Sequence, residues 1–147
     1  MIKLKFKDLF RIVEFFNAFK QISKQNSEFQ GELSQFPIQH SMQIFLSNPK
    51  STIWVKFGDG TLDYGEGIIQ EPDLILICSN KILYGILTNK LNALNEWEKG
   101  NIEVKGDMQY GVIFFDILKL AYEILKEEYR GENDESNIHL GASGSWF

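Results

Sequence analysis

A single cysteine, Cys78, leaves no partner for an intrachain disulfide. The fold must therefore be held by its own core, and a reducing, cytoplasmic setting is the simple reading. Histidine is almost as scarce: His40 and His139 lie far apart, with no third residue at a spacing that completes a metal site or a catalytic triad. Cys78 itself sits in an apolar run without a neighbouring base or cation, as a small hydrophobe does and a nucleophile does not. Positive charge is in deficit, with 15 Lys and Arg against 20 Asp and Glu and a net charge of −5. That balance argues against a general nucleic-acid binder. No apolar run approaches the ~20 residues needed to span a bilayer. The early cations Lys3, Lys5, Lys7 and Arg11 break up any signal-peptide core, and the closing Ser145-Trp146-Phe147 is not a peroxisomal address. Gly58-Asp59-Gly60 lacks the third glycine and the following helix of a dinucleotide fingerprint. Asp59, Asp63 and Glu66 miss the calcium-loop spacing. The expectation is a protein with no cofactor, no metal and no catalytic residues.

What the chain has in quantity is bulky apolar surface: 44% hydrophobic residues and 12 phenylalanines in 147 residues, enough for one domain with a sizeable core. From Asp8 on, Leu9, Ile12, Val13, Phe16 and Phe19 recur on one face of a helix expected over 7–27. The first 24 residues of the chain carry six cations and two carboxylates, a net of +4. Such a helix either packs on a sheet, the favoured reading, or lies transiently on an anionic membrane surface. A connector is expected over 31–37. Three strands follow: His40 to Ser47, Thr52 to Phe57 and Thr61 to Ile69, with a turn at Asn48-Pro49-Lys50 and a hairpin at Gly58-Asp59-Gly60. Gly65 and Gly67 weaken the third strand and mark a bulge or a close approach by another group.

The stretch from Pro72 to Met108 organises the rest. Leu74 to Cys78 is a short Ile- and Leu-rich strand. Ser79 or Asn80 caps a helix carrying Ile82, Leu83, Ile86 and Leu87 on one face. A shorter helical piece over Leu91 to Trp97 ends at Gly100. Ile102 and Val104 alternate with Glu103 and Lys105 as a strand with one wet face, and Gly106-Asp107 turns into a long helix from about Met108. That helix is apolar along two stripes, one through Phe114, Phe115, Leu118, Tyr122 and Leu125, the other through Tyr110, Ile113, Ile117, Ala121 and Ile124. Such a helix is deeply buried or touches something besides its own core. After Lys126 the composition turns acidic and Gly/Ser-rich, as in a solvated linker.

These residues carry a resemblance. The Pro72-Asp73 strand opening, Leu83, Leu87-Thr88-Asn89-Lys90-Leu91-Asn92, the aromatic Trp97, Gly100 and Ile102-Glu103-Val104-Lys105-Gly106-Asp107-Met108 follow without a gap the pattern of the sterol carrier protein 2 family. Asn89 stands where glycine is usual and Ala93 where proline is common; asparagine tolerates the same left-handed backbone as glycine. The resemblance implies an α+β fold: a single five-stranded sheet covered on one face by helices, with an apolar tunnel between. It implies a non-catalytic lipid-binding or lipid-transfer protein holding a fatty acid, fatty acyl-coenzyme A, phospholipid or sterol-like ligand. The residues expected to line the site are Ile53, Val55, Phe57, Leu74, Leu76, Leu83, Leu87, Trp97, Ile102, Val104, Met108, Val112 and Phe115. A well-packed core would use the same residues. Asn92 and Gln109 are candidates to meet a polar head group or to cap turns.

The expected organisation is a lipid-binding domain over 1–128, with the helix over 7–27 and a sheet-and-helix core over 38–128. A flexible acidic tail over 129–147 ends in Trp146-Phe147. The partners expected are a lipid ligand, an anionic membrane surface, and a partner enzyme or a second copy reached through the tail; no nucleic acid is expected. Alternative readings are an accessory subunit that presents a lipid to a partner enzyme and a solid-cored interaction domain without a ligand.

Overall fold

A computed structural model of the chain describes residues 11–132. The elements run α1 (Ile12–Gln25), α2 (Ser27–Leu33), β1 (His40–Ser47), β2 (Ser51–Gly58), β3 (Thr61–Glu66), β4 (Leu74–Ser79), α3 (Asn80–Leu87), α4 (Ala93–Glu98), β5 (Glu103–Gly106) and α5 (Met108–Glu132). The five strands form one sheet in the order β3-β2-β1-β4-β5. Neighbours are antiparallel except for the central parallel pair, β1 with β4.

Alternation decides which face is inside. Val55, Met42 and Leu74 lie opposite one another across three strands, as do Ile53, Ile44 and Leu76. All six are essentially inaccessible, and the helices cover this face. α1 contributes Phe15, Phe16, Phe19 and Ile22, α3 contributes Leu83 and Leu87, and α5 contributes Phe114, Leu118, Tyr122 and Leu125. Rings meet edge to face or tilted, as the aromatic quadrupole prefers: Phe57 and Phe114 at 5.7 Å between centroids, and Phe15 and Tyr84 at 5.5 Å. Phe15, Phe16, Phe19, Phe29, Phe57 and Phe114 fill the layer between sheet and helices. Both stripes of α5 are buried from Ile117 onward, which accounts for its two apolar sides there.

Local details depart from the sequence reading in four places. Arg11 is extended and precedes α1, so that helix begins at Ile12, not near Lys7, and ends at Gln25. The connector expected over 31–37 is partly helical: the Asn26 side chain accepts the Phe29 N–H at 2.9 Å and starts α2, whose Phe29 and Leu33, four apart, are fully buried. β3 stops at Glu66, three residues short, because Gly67 takes φ +107° and the chain leaves the ladder. It crosses the outer face of the sheet, where buried Gln43 donates to the carbonyls of Ile53 and Gly67 and accepts from the Ile69 N–H at 2.8 Å. α5 runs on to Glu132, past the acidic change at Lys126. The weak Gly65 has a physical use: a Cβ there would lie 2.4 Å from the Trp54 ring, which closes over it. The tail ending in Trp146-Phe147 lies outside the described residues.

Candidate functional site

An apolar opening is built by the stretch from α3 to α5. Ser79 accepts the Ile82 N–H and starts α3 as expected. The helix is closed by Thr88, whose hydroxyl donates to the Tyr84 carbonyl at 2.9 Å. Asn89 takes φ +59°, so asparagine adopts the left-handed turn that glycine would serve. The chain doubles back: the Lys90 and Leu91 N–H groups both donate to the Gly85 carbonyl. The Leu91 side chain folds into the space that a Cβ on Gly85 would occupy. Asn92 then caps α4 by accepting the Asn95 N–H at 3.0 Å, the capping role among its two candidates. Buried Glu96 is held by the Asn101 side chain at 2.9 Å and by Lys99 at 3.5 Å, fixing a short helix that leaves Leu94 and Trp97 outward. Gly106 turns the chain from β5 into α5 at φ +116°, and a Cβ there would meet the Asp73 carbonyl oxygen at 2.6 Å.

Between the 89–92 turn, α4, β5 and the first half of α5 lies an open-sided cleft of about 650 Å³, within the range of small-molecule sites. One end is apolar, formed by Trp97, Ile102, Val104, Met108, Val112 and Phe115. The other is polar, formed by Asn89, Lys90, Asp116, Lys119 and Glu123. Glu123 accepts from the Asn89 side chain at 2.9 Å and pairs with Lys126 at 3.1 Å, clamping the turn onto α5. Lys90, Lys119 and Asp116 form no ion pair among the described residues. Of the large apolar residues exposed among those described, Leu94 (60%), Trp97 (43%), Met108 (39%) and Val112 (60%) gather on this cleft; Ile38 and Ile68 lie elsewhere.

Of the thirteen residues expected at the site, the cleft brings together Trp97, Ile102, Val104, Met108, Val112 and Phe115. Ile53, Val55, Phe57, Leu74, Leu76, Leu83 and Leu87 are at most 2% exposed and pack in the core behind it. Their link to the cleft is indirect: Leu76 pairs with Val104 across β4 and β5, and Leu74 backs Gly111 of α5. Gln109 is not part of the lining. Sequence reasoning missed Ile86, Leu91, Leu94 and the polar end. A signal existed, because Met108, Val112, Phe115, Lys119 and Glu123 follow one helical line at three- and four-residue steps.

His40 sits against the Tyr110 ring at 4.5 Å, with Asp73 at 3.8 Å, packed between Phe36 and Phe57. Burial pushes the Cys78 thiol up to about 11. Among the described residues no group of three or more His, Cys, Asp or Glu is placed to hold a metal ion, and no helix is long and apolar enough to cross a membrane.

The model of the SCP-2 sterol transfer family matches residues 19–119. No curated protein is significantly similar in sequence. Among solved structures, the chain is similar to sterol carrier protein 2 from Yarrowia lipolytica in its apo form, with TM-score 0.56, 18% identity, and coverage of 73% of this chain and 88% of that one. It is similar to UbiJ-SCP2, a ubiquinone synthesis protein, with TM-score 0.55, 14% identity, and coverage of 74% and 96%. It also resembles the stereoselective inverting sec-alkylsulfatase Pisa1 from Pseudomonas sp., with TM-score 0.55 and 17% identity; there the likeness covers 60% of this chain and 14% of the much longer enzyme. At these identities the likenesses speak for the fold.

Proposed function

The chain belongs to the SCP-2 sterol transfer family, and on that premise we propose that it is a non-catalytic lipid carrier whose ligand lies in the cleft between α4, β5 and α5. The observation that carries this reading is the gathering of Leu94, Trp97, Met108 and Val112, all exposed, around a cleft that is apolar at one end and charged at the other. Isolated exposed apolar residues are ordinary; a contiguous group in a concavity marks a binding site. The two ends suit an amphiphile. Its aliphatic part lies along Trp97, Ile102, Val104, Met108 and Val112, and its head faces Asn89, Lys90 and Lys119.

The driving force is burial. Each methylene removed from water gains roughly 0.8 kcal/mol, so a dozen gain roughly 10 kcal/mol. An association cost of about 4 kcal/mol, the low end of its range, leaves about 6 kcal/mol, a dissociation constant of tens of micromolar. Burial is nondirectional, so selectivity among aliphatic chains is modest. Lipid exchange at an anionic membrane surface accords with the basic N-terminal region, although the apolar face of α1 is already buried in the core.

A second reading, an accessory unit that presents its lipid to a partner enzyme, has support from the outer face of the sheet. Phe45, Trp54, Ile75 and Ile77 are only half-buried there; Phe45 pairs with Ile77, and Trp54 and Ile75 lie on either side of Gln43. Delipidated protein offered palmitate or cholesterol and weighed by native mass spectrometry tests the carrier reading. One retained lipid per chain is expected, and no retention of either at lipid concentrations up to 1 mM, on the order of the weakest useful affinity, refutes it.

A further inference from the structure

We propose that Asn89 is a positioning residue: through Glu123 it keeps Lys90, on the turn, and Lys119, on α5, gathered at the polar end of the cleft, and the end so organised selects amphiphiles with an anionic head over neutral ones. The proposal rests on the lipid-carrier reading and goes beyond it, because burial of an aliphatic chain does not discriminate between heads. Asn89 serves two purposes at one position. Its backbone takes φ +59°, and its side-chain amide donates to Glu123 Oε2 at 2.9 Å. A glycine would take the same backbone but could not make that bond.

The turn is held from two sides. On the α3 side the Lys90 and Leu91 N–H groups donate to the Gly85 carbonyl at 2.9 and 3.0 Å, and the Leu91 side chain occupies the space beside Gly85. On the α5 side stands the Asn89–Glu123 bond, with Glu123 itself anchored by Lys126 at 3.1 Å. The Lys126 side chain is buried, only 8% exposed, which limits the freedom of the anchor to move. Lys90 follows Asn89 directly in the chain. Lys119 precedes Glu123 by four residues on the same helical face, about 6 Å along the axis. The tie therefore gathers two cations from different elements at one end of the cleft, where neither forms an ion pair among the described residues.

The charge left over has one sign. Lys126 balances Glu123, and two cations, Lys90 and Lys119, against one carboxylate, Asp116, leave a net of +1 facing the cleft. A carboxylate head satisfies that charge, whereas a hydroxyl head does not. The tie matters because lysine stems are long and flexible: with the turn fixed to α5, part of the ordering precedes the ligand. Both lysines are exposed, so the preference the tie confers is modest, about threefold to tenfold in affinity, and salt screens it.

The test compares laurate with 1-dodecanol, which share a chain and differ in the charge of the head. Tryptophan emission, with Trp97 in the cleft, reads the binding of each to the full chain. Asn89→Gly keeps the backbone and removes the tie, so the ratio of laurate to dodecanol affinity is expected to fall about threefold to tenfold. Asn89→Asp sets a second carboxylate against Glu123 and should lower the ratio at least as far. Asn89→Asp/Glu123→Gln exchanges donor and acceptor at unchanged total charge and should restore the ratio to within about twofold of the natural chain's. These two variants carry the test by themselves if the glycine variant does not fold. A purely structural role would weaken both ligands alike and leave the ratio where it was. Binding of both ligands with a ratio unmoved by Asn89→Gly, or an exchanged pair no better than Asn89→Asp, overturns the proposal and leaves the carrier reading standing. Binding of neither ligand by the natural chain defeats both.

Discussion

Val112 offers the sharpest separation between ligand binding and stability. It lies on α5 between Met108 and Phe115 and is 60% exposed, so replacing it disturbs little of the core; exposed substitutions usually fall within about 0.5 kcal/mol. Full burial of a valine side chain is worth at least about 1.5 kcal/mol. A ligand that covers the exposed three-fifths gains roughly 1 kcal/mol there. Val112→Ala therefore weakens palmitate binding about three- to fivefold. Val112→Asp sets a carboxylate against the aliphatic chain and strips part of its hydration, costing about 3 kcal/mol or more, which is upwards of a hundredfold. Calorimetric titration reads the affinity, and thermal melting checks the fold, with a shift of no more than a few degrees expected. Ile68→Asp is the control, since Ile68 is 73% exposed but lies away from the cleft; it should leave the affinity unchanged. If Val112→Asp binds palmitate as the natural chain does, the ligand does not lie along α5.

Gly106→Ala should destabilise the protein by about 2 kcal/mol or more, since φ +116° is strained for alanine and its Cβ would strike the Asp73 carbonyl; denaturant unfolding reads this directly. Cys78 should resist thiol reagents at pH 8, because burial holds its thiol near 11, and labelling at the rate of a free thiol in native buffer would contradict the packing of β4. The Lys20–Asp63 pair at 2.8 Å ties α1 to β3 and lowers the Asp63 carboxyl below its ordinary value. Its contribution is thus present above the ordinary carboxylate range and is lost as pH falls through the depressed value. Asp63→Asn should flatten the acid limb of stability below about pH 4 and, with both groups partly exposed, cost less than about 1 kcal/mol at pH 7; an acid limb of unchanged slope would remove the pair from the account.

Much of the fold was legible because periodicity and turn chemistry agree. The alternation of Met42, Ile44 and Leu46 specifies β1, Ser79 caps α3, and Gly100 and Gly106 both take positive φ where the chain turns. α2 was hidden by Gly31, an exposed glycine inside a helix that Asn26, Phe29 and Leu33 secure. The site was harder to read for a physical reason. A residue facing a ligand and a residue facing the core have the same apolar character, so Leu83 and Met108 look alike in sequence. Only packing separates them: Leu83 is covered by the aromatic core, while Met108 stays 39% exposed at the start of α5. The polar end was unreadable for another reason. Asn89 and Glu123 are 34 residues apart, and their hydrogen bond depends on the turn closing onto α5.

The central claim is that an aliphatic ligand lies in the cleft and not within the aromatic layer against the sheet. Contacts between carbon-labelled palmitate and the protein's methyl groups, read as intermolecular nuclear Overhauser effects, test it most directly. Strong effects from the ligand's methylenes to Met108, Val112 and Ile102, with none to Met42 or Ile44 beneath the helices, are the predicted result. Effects confined to Met42 and Ile44, or none to Met108 and Val112 at saturating palmitate, would contradict it.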